Sequence, residues 1–356
     1  MRSRLVFLGA LMFLSCEFTY GAATKTLDIY FIDVEGGQST LLVTPGGESL
    51  LIDTGWAADG SPGAKPGEPS QSRDARRIAA AAHDAGINRI DYLQITHFHT
   101  DHDGGVVELA QLLPIGQFVD HGTLPAEAQK EEDTRQAYEA YLALRNKSPH
   151  LEPHPGDRLP IKGVSAVIVS SAGLTLREPL PGAGQLNGMC GSAALPPGDS
   201  IENPRSTGIL VEFGKFRFLD VGDLSGQPLF NLACPKSLIG PVDAYLVGHH
   251  GGADNSDPAI FAAFAPRVAI MNNGQKKGGA RETFETLHNV PGLGDVWQLH
   301  RSSAAGDLNL APERIANPDE TSAHWIKLSA NRDGSFRVLN GRTGEWKNYR
   351  PRAPQK

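Results

Sequence analysis

Three histidines and two aspartates are crowded into one short segment, residues 96–105, which reads THFHTDHDGG. Imidazole nitrogens and carboxylate oxygens in one cluster suit zinc, iron or manganese better than calcium, which prefers oxygen ligands alone. Folding such a segment without a metal ion would leave several polar atoms unpaired. The segment therefore predicts a metal site, and its candidate ligands are His97, His99, Asp101 and His102.

Further candidate ligands come at the ends of other predicted strands, where ligands usually bind in an α/β sheet. His121 follows the run IGQFVD, Asp223 ends the run DVGD, and His249 and His250 follow VDAYLVG. One tetrahedral zinc ion needs three or four protein ligands. At least six candidates converge here, and this number favours two divalent metal ions.

The positions also suggest how the ligands divide between two ions. Alternation along an extended segment would direct His97 and His99 toward one ion, while Asp101 and His102 further round the turn face the other. Asp223 arrives from another strand and would bridge the two ions. The other six histidines are expected to be ordinary surface or core residues: His83, His150, His154, His288, His300 and His324.

A glycine-rich turn, NNGQKKGGAR, follows the predicted strand 267–271 and carries three cations, Lys276, Lys277 and Arg281. If this turn overhangs the metal site, its cations would hold an anionic group such as phosphate. The alternative is an ordinary solvated loop, and the sequence does not decide between the two.

The order of the predicted elements indicates the fold that positions these residues. Strand-like runs at 27–33, 39–44 and 48–54 are separated by glycine-rich turns, which is typical of an antiparallel meander. The Ala-rich run 73–86 ends in glycine and predicts a helix, and the strand 90–96 leads directly into the polar segment. Strands first, then strand–helix alternation, suit two mixed sheets facing each other with helices outside.

The rest of the chain continues this pattern, and residues 24–356 are expected to form a single domain. Residues 172–206 lack periodicity and predict a long loop of a length that is usually functional or mobile. The other predictions are helices at 106–113 and 126–146, strands at 115–120, 158–171, 242–247 and 295–300, and hairpins at 207–223 and 326–340.

The first 23 residues have the anatomy of a secretory signal peptide. Arg2 and Arg4 precede the apolar run LVFLGALMFL, which is short for a membrane span, and small residues follow at 21–23. A buried or anchoring helix is the alternative. Cys16 loosely resembles a lipoprotein cleavage site, so lipid anchoring is a lesser possibility. We expect an exported protein, periplasmic or secreted.

The amino-acid composition indicates which classes of binding partner, such as membranes and long nucleic acids, are not expected. The chain is 40% apolar and 21% charged, as in soluble globular proteins, and no later segment is long and apolar enough to span a membrane. Loss of residues 1–23 removes two arginines and one glutamate and changes the formal charge from −7 to −8. With no dense Lys/Arg run, binding to long nucleic acid is not expected. Cys190 and Cys234 could form a disulfide after export or remain two thiols.

The polar segment resembles a known signature. H-x-H-x-D-H directly after a strand is similar to the ligand motif of the metallo-β-lactamase superfamily. LLIDTG at 50–55 resembles its first motif, Asp223 its bridging aspartate and GHHG at 248–251 its late histidine, so the resemblance spans residues 27–300. It implies a four-layer αββα sandwich and a dinuclear hydrolase, with zinc as the expected metal and iron or manganese as alternatives.

Within the superfamily the chain is similar to the ComEC type, the hydrolase domain associated with bacterial DNA uptake. FIDVEGGQST at 31–40 matches that type's FIDVGQGDA without a gap, but Gly36 and Gln38 replace its glutamine and aspartate, and the membrane channel is absent. The superfamily's third motif usually supplies a histidine where this chain reads SSAGLT, at 170–175. The first metal ion would then have one ligand fewer, or His121 would fill the gap.

These expectations define a reaction and leave its substrate open. Two metal ions lower the pKa of bound water from near 16 toward about 7, so a hydroxide can attack a carbonyl carbon or phosphorus. Asp101 and Asp223 would orient the nucleophile, and Asp53 would hydrogen-bond the ligand segment and fix its imidazoles. Small or envelope-linked phosphoesters are the favoured substrates. A cyclic amide or lactone, or a metal-binding module without turnover, are the alternatives.

Overall fold

The computed structural model describes residues 26–60, 64, 65, 67, 72–192 and 201–353. The expected signal peptide, residues 1–23, and Cys16 within it lie outside the described residues. Within the described ranges, no helix has both the length and the apolar character that crossing a bilayer would need.

The elements follow one another in the order that the sequence predicts, with several short additions. The α-helices are α1 (Arg73–Asp84), α2 (Thr100–Asp103), α3 (Val106–Leu112), α4 (Glu132–Arg145), α5 (Gly226–Ala233), α6 (Pro258–Phe264) and α7 (Arg281–His288). The strands are β1 (Leu27–Phe31), β2 (Thr40–Val43), β3 (Ser49–Ile52), β4 (Ile90–Gln94), β5 (Ile115–Val119), β6 (His150–Leu151), β7 (Arg158–Leu159), β8 (Ser165–Ser171), β9 (Leu174–Thr175), β10 (Gly208–Phe213), β11 (Phe216–Asp220), β12 (Ala244–Leu246), β13 (Val268–Met271), β14 (Asp295–His300), β15 (Ile315–Asn317), β16 (Ile326–Ala330), β17 (Phe336–Asn340) and β18 (Trp346–Tyr349).

The strands form two mixed sheets. The first runs in the order β18-β17-β16-β1-β2-β3-β4-β5-β6. In it β1, β2 and β3 are antiparallel, as the predicted meander, whereas β3, β4 and β5 are parallel. The second runs in the order β15-β14-β13-β12-β11-β10-β8-β7, with β9 paired to β8, and β11 to β15 are parallel.

Alternation along the strands gives each sheet two apolar faces, because successive side chains point to opposite sides. On β1, Leu27, Ile29 and Phe31 face a core shared by the two sheets, while Tyr30 packs under the helices of the first sheet. The ring of Phe31 lies 5.7 Å from that of Phe218 on β11, centroid to centroid. Helices α1, α3 and α4 cover the first sheet and α5, α6 and α7 the second. The predicted αββα sandwich is confirmed.

One predicted helix differs in detail from the structure. The predicted helix 126–146 is a 3-10 turn at Ala128–Lys130 followed by α4, because Glu131 is extended and interrupts the helix. The Glu131 carboxylate accepts a hydrogen bond from the Thr134 hydroxyl, which starts the second helix. The predicted loop 172–206 contains only short elements where it is described.

A disulfide anchors that loop. Cys190 is bonded to Cys234, which directly follows α5, over a separation of 44 residues in sequence. The sequence left open whether the two cysteines pair, because it shows no distances. In the structure, this bond attaches the loop to the helical layer that covers the second sheet.

Buried polar side chains connect the two sheets near the strand ends. His300, at the end of β14, lies with its Nε2 2.7 Å from Asp33 Oδ1, just after β1. Arg77 on α1 donates to Asp33 at 2.8 Å and to Glu35 at 3.1 Å. Asp33, Glu35 and His300 lie close enough to hold a cation, but Arg77 already supplies the positive charge. His300 is thus a bonded core residue, as expected from the sequence.

We expect this ion pair to make stability depend on pH. Burial lowers the pKa of His300, but the hydrogen bond and charge of Asp33 and the charge of Glu35 outweigh it and raise the pKa. The stabilisation is therefore complete below about pH 6.5 and is lost as the pH rises through the raised pKa. His300→Gln should lower the free energy of unfolding by roughly 1 kcal/mol more at pH 6 than at pH 9, measured by urea denaturation.

The control is His288→Gln, which changes an exposed histidine on α7. Equal losses at the two pH values for His300→Gln would contradict a charged His300 in the folded protein.

Candidate metal centre

The polar segment 96–105 crosses from the end of β4 into a single helical turn, α2. His99 precedes the turn with extended backbone (φ −86°, ψ 146°), whereas Asp101 and His102 lie within it. Gly105 lets α2 pack against the strand end after β3, since a Cβ there would collide with the Thr54 carbonyl. The change from extended to helical backbone gives the two halves of the segment different directions.

Asp53 holds the ligand segment in place. It is fully buried and has a left-handed backbone, with φ of 62°. Its carboxylate accepts hydrogen bonds from the Thr96 backbone N–H and the Thr96 hydroxyl, both at 2.7 Å. It also lies 2.7 Å from His102 Nδ1. Because Nδ1–H of His102 donates to the Asp53 carboxylate, the other ring nitrogen, Nε2, is directed away from Asp53 and can serve as a metal ligand.

One carboxylate oxygen, Oδ2 of Asp223, lies among four imidazoles. It is 3.2 Å from His102 Nε2 and 3.3 Å from His250 Nε2. His249 Nε2 lies 3.6 Å away, and His97 Nε2 lies 4.0 Å away. Asp223 and the histidine pair follow β11 and β12 of the second sheet, whereas His97 and His102 follow β4 of the first, so strand ends of both sheets meet at this oxygen.

A second carboxylate completes a compact group. Asp101 Oδ2 lies 3.1 Å from His250 Nε2 and 3.3 Å from His102 Nε2. The ligand atoms of Asp101, His102, Asp223 and His250 all lie within 4.8 Å of one another, and all four residues are buried. This is a four-ligand set of two imidazoles and two carboxylates.

The group has the properties of a site for a divalent cation. His102 Nε2, His250 Nε2 and Asp223 Oδ1 are buried, and none makes a hydrogen bond among the residues that the structure describes. Each such unpaired atom costs about 1–3 kcal/mol. Nitrogen and oxygen donors together suit zinc, iron or manganese, so a cation would satisfy atoms that the protein leaves unpaired.

The electrostatics of the group also favour positive charge. Burial would raise the pKa of Asp101, but the charges of Lys277 and His102 hold it well below its usual range. Burial would lower the pKa of His102, but Asp223, Asp101 and Asp53 hold it well above its usual range. Protons and metal ions therefore compete for the same negative field.

His97 and His99 lie beside this group and form a pair of their own. His97 Nε2 is 2.8 Å from His99 Nδ1, and their ring centroids are 4.6 Å apart. Burial lowers the pKa of both imidazoles, that of His97 well below its usual range. Both are therefore neutral near pH 7, as histidine ligands must be.

His121 is directed to a different partner. Its Nε2 lies 3.0 Å from Glu202 Oε2, and the same oxygen accepts a hydrogen bond from the Phe98 backbone N–H at 3.0 Å. The His121 and Phe98 rings lie 4.6 Å apart. Glu202 thus ties His121 to the ligand segment, and His121 is not part of the four-ligand group.

Glu202 and Asn203 are residues of the site that the sequence did not reveal. Each is 1% exposed, and Asn203 Nδ2 lies 3.4 Å from His249 Nε2. Both fall in the predicted loop 172–206, where no periodicity distinguishes them. Their one local signal is their place just before β10, at another strand end.

Of the three predicted cations, Lys277 reaches the metal group. Its ammonium contacts Asp101 Oδ2 and lies 5.0 Å from the Trp56 ring centroid. Lys277 also lines a cavity of about 350 Å³ beside the group. The full lining is Glu35, Arg73, Arg77, Gln275, Lys276, Lys277 and Glu320.

The other two predicted cations lie at the surface. Lys276 is exposed at the edge of the cavity and pairs with Glu320 at 2.8 Å. Arg281 begins α7 and pairs with Glu285 at 3.0 Å and Asp307 at 2.8 Å. It is not among the residues that line the cavity.

Asp53→Asn should weaken metal binding about 10- to 100-fold, because an amide cannot accept all three hydrogen bonds that fix Thr96 and His102. Metal content at equilibrium with a competing chelator measures this. Asp91→Asn is a matched control, since Asp91 lies on β4 of the same sheet but bonds Ser49 instead. Equal metal retention by the two variants would show that Asp53 does not hold the ligands in place.

The first part of the chain matches a known protein family. Residues 33–186 match the family model of the metallo-beta-lactamase superfamily. The matched range contains Asp53, the polar segment and His121, and it ends before Asp223 and the histidine pair. No curated protein sequence matches the chain.

Several solved structures are similar in fold. A mutant of the CmlA beta-hydroxylase, which is a diiron enzyme from Streptomyces venezuelae, shares 14% identity at a TM-score of 0.44 over 77% of this chain and 52% of that one. A putative metal-dependent hydrolase from Parabacteroides distasonis shares 17% sequence identity at a TM-score of 0.42. The match covers 76% of this chain and 92% of that one. Igni18, a metallo hydrolase from Ignicoccus hospitalis, shares 14% sequence identity at a TM-score of 0.41. The match covers 78% of this chain and 97% of that one.

The chain spans about half the length of the CmlA structure, and at these TM-scores the likenesses carry no conclusion about function. The sequence match is independent of them, and it agrees with the two-sheet fold and the buried ligand group. The match covers less than half of the chain, and over residues 33–186 the chain is similar to the metallo-β-lactamase superfamily.

Proposed function

We propose that this protein is an exported dinuclear metallo-hydrolase that cleaves a small or envelope-linked phosphoester, most simply a phosphodiester. The superfamily match supports a metal-dependent hydrolase. The observation that carries the proposal is the approach of four imidazole Nε2 atoms, at 3.2 to 4.0 Å, to the one carboxylate oxygen of Asp223.

The donor atoms divide into two positions that share Asp223. Two divalent metal ions held there would lower the pKa of a water molecule toward neutrality and polarise the group under attack. Zinc is the metal we expect, and iron and manganese suit the same donors. One position would use His97, His99 and Asp223, and the other Asp101, His102, Asp223 and His250.

The chain's own residues would orient the reactants. Asp101 and Asp223 would accept hydrogen bonds from the attacking water and direct it, while Asp53 keeps the His102 ring fixed through its Nδ1. These ligand side chains are buried except His99, which is half-buried, so charges in the group interact more strongly than in solution.

The charges around the site favour an anionic substrate. Lys277 lies against Asp101 and also lines the neighbouring cavity, together with Arg73, Arg77 and Lys276. Glu35 and Glu320 are the acidic side chains of that lining. Each of these four cations also pairs with a carboxylate of the protein. Lys277, which faces the metal group, is the one placed to contact a phosphoryl group, and a neutral lactone or cyclic amide would gain less from that contact. The resemblance of residues 31–40 to the ComEC type also favours a phosphodiester.

Export is supported by two independent features. The first 23 residues have the sequence anatomy of a signal peptide. The Cys190–Cys234 disulfide suits an oxidising compartment such as the periplasm or the cell exterior. The net charge favours a small or envelope-linked substrate over a long nucleic acid.

To test the reaction, purified residues 24–356 are assayed for metal by elemental analysis and for hydrolysis of bis(p-nitrophenyl) phosphate and a chromogenic β-lactam. We expect about two metal ions per chain and turnover of the phosphodiester. His102→Ala should reduce turnover more than about 100-fold, because it removes a proposed ligand. His288→Ala, at an exposed position, is the control. Turnover of the β-lactam alone would establish the other substrate class, and two bound ions without turnover would indicate a binding module.

Lys277→Met should raise KM for the phosphodiester about 10-fold, because a charged hydrogen bond to the substrate is lost from a partly exposed position. Steady-state kinetics measure this, and metal content is determined on the same samples. Lys276→Met is the matched comparison and should have a smaller effect, since the Lys276 ammonium lies at the edge of the same cavity and pairs with Glu320 at the surface. Equal effects of the two substitutions would argue against a role for Lys277 at the site.

A further inference from the structure

We infer that His249, supported by Asp254, is the third histidine of the metal position formed by His97 and His99. The inference rests on the proposed dinuclear hydrolase and specifies the ligands of one of its two ions. His97, His99 and the shared Asp223 supply three protein ligands to that position, two of them histidines, and the inference adds a third histidine to this set. The sequence offered His121 for this role.

Distance places His249 at the shared carboxylate. Its Nε2 lies 3.6 Å from Asp223 Oδ2, closer than the 4.0 Å of His97 Nε2. Two ligands of one tetrahedral zinc ion lie about 3.4 Å apart, given bonds of about 2.0–2.2 Å. His97 and His249 thus each lie at a distance from Asp223 that suits a ligand sharing an ion with that carboxylate after small adjustments.

A carboxylate behind the ring directs His249 in the same way that Asp53 directs His102. His249 Nδ1 lies 2.9 Å from both carboxylate oxygens of Asp254. Nδ1–H of His249 donates to this carboxylate, and Nε2 is presented toward Asp223, an arrangement typical of histidines that bind metals. The two imidazoles therefore have matching supports on either side of one shared oxygen.

The backbone is bent to bring both members of the histidine pair to that oxygen. His249 has φ of 51° and His250 has φ of 53°, both in the left-handed region that non-glycine residues rarely adopt. Neighbouring side chains on an extended strand would point to opposite faces. The strain costs about 1–2 kcal/mol per residue, and strain of this kind clusters at functional sites.

His121 is oriented differently. Its Nε2 is bonded to Glu202, which also accepts the Phe98 backbone N–H. This connects the loop before β10 to the ligand segment, which is a positioning role. His249 points its Nε2 at Asp223. His121 points its Nε2 at Glu202, and its Nδ1 is buried without a hydrogen-bond partner among the described residues, so the metal count of a His121 variant is part of the test.

The test counts metal ions in purified residues 24–356 after chelator treatment and equilibration with Zn²⁺. Three variants are compared with the parent: His249→Ala, Asp254→Asn and His121→Gln, the last chosen because glutamine can still donate to Glu202. Elemental analysis gives the ions per chain, and the visible absorption of the Co²⁺-loaded protein reports the ligands at each position. Circular dichroism checks that each variant is folded.

We expect about two ions in the parent and in His121→Gln and about one in His249→Ala. Asp254→Asn should bind its second ion about 10- to 100-fold more weakly. Two ions in folded His249→Ala, with one lost in His121→Gln, would overturn the assignment and leave the dinuclear hydrolase standing. Fewer than two ions in the parent itself would instead sink the proposed dinuclear function.

Discussion

The structure around the site depends on a buried negative charge, the carboxylate of Asp223. An isolated carboxylate at this depth would be costly, and burial alone would raise its pKa. His102, His250 and His249 instead hold the pKa of Asp223 well below its usual range. Every element that reaches the site contributes to this balance: β4 delivers His102, β11 delivers the carboxylate, and β12 delivers the histidine pair.

Buried polar side chains also connect the two sheets next to the site. Gln38 donates to both oxygens of Asp220, at 3.1 and 3.2 Å, and Asn272 donates to Gln38. Burial raises the pKa of Asp220 to about 7. Gln38 belongs to the segment that resembles the ComEC type, and in the structure it joins the first sheet to the end of β11.

The sequence predicted those parts of the fold and the site that leave a local pattern. Alternating apolar residues indicated β1 to β4, and the spacing of His97, His99, Asp101 and His102 indicated metal ligands. The metal group contains two of these four, together with residues from two later strand ends. Position after a strand was thus an adequate guide to which distant residues meet.

What the sequence could not show are contacts made at long range by residues without periodicity. Glu202 and Asn203 are buried at the site although they fall in a stretch that predicts only a loop. Lys277 and Lys276 are adjacent and chemically alike, yet one reaches Asp101 and the other Glu320. Which carboxylate each lysine contacts depends on how the turn after β13 packs against the other sheet. The local sequence does not predict that packing.

The four-ligand group draws its residues from segments more than a hundred positions apart, on strand ends of both sheets. An unfolded chain cannot present these atoms together, so any cation bound there would favour the folded state over the unfolded one. The gain grows with the logarithm of free metal concentration, about 2.7 kcal/mol at one hundred times the dissociation constant. The availability of metal would thereby help to set how long the protein survives unfolding and proteolysis.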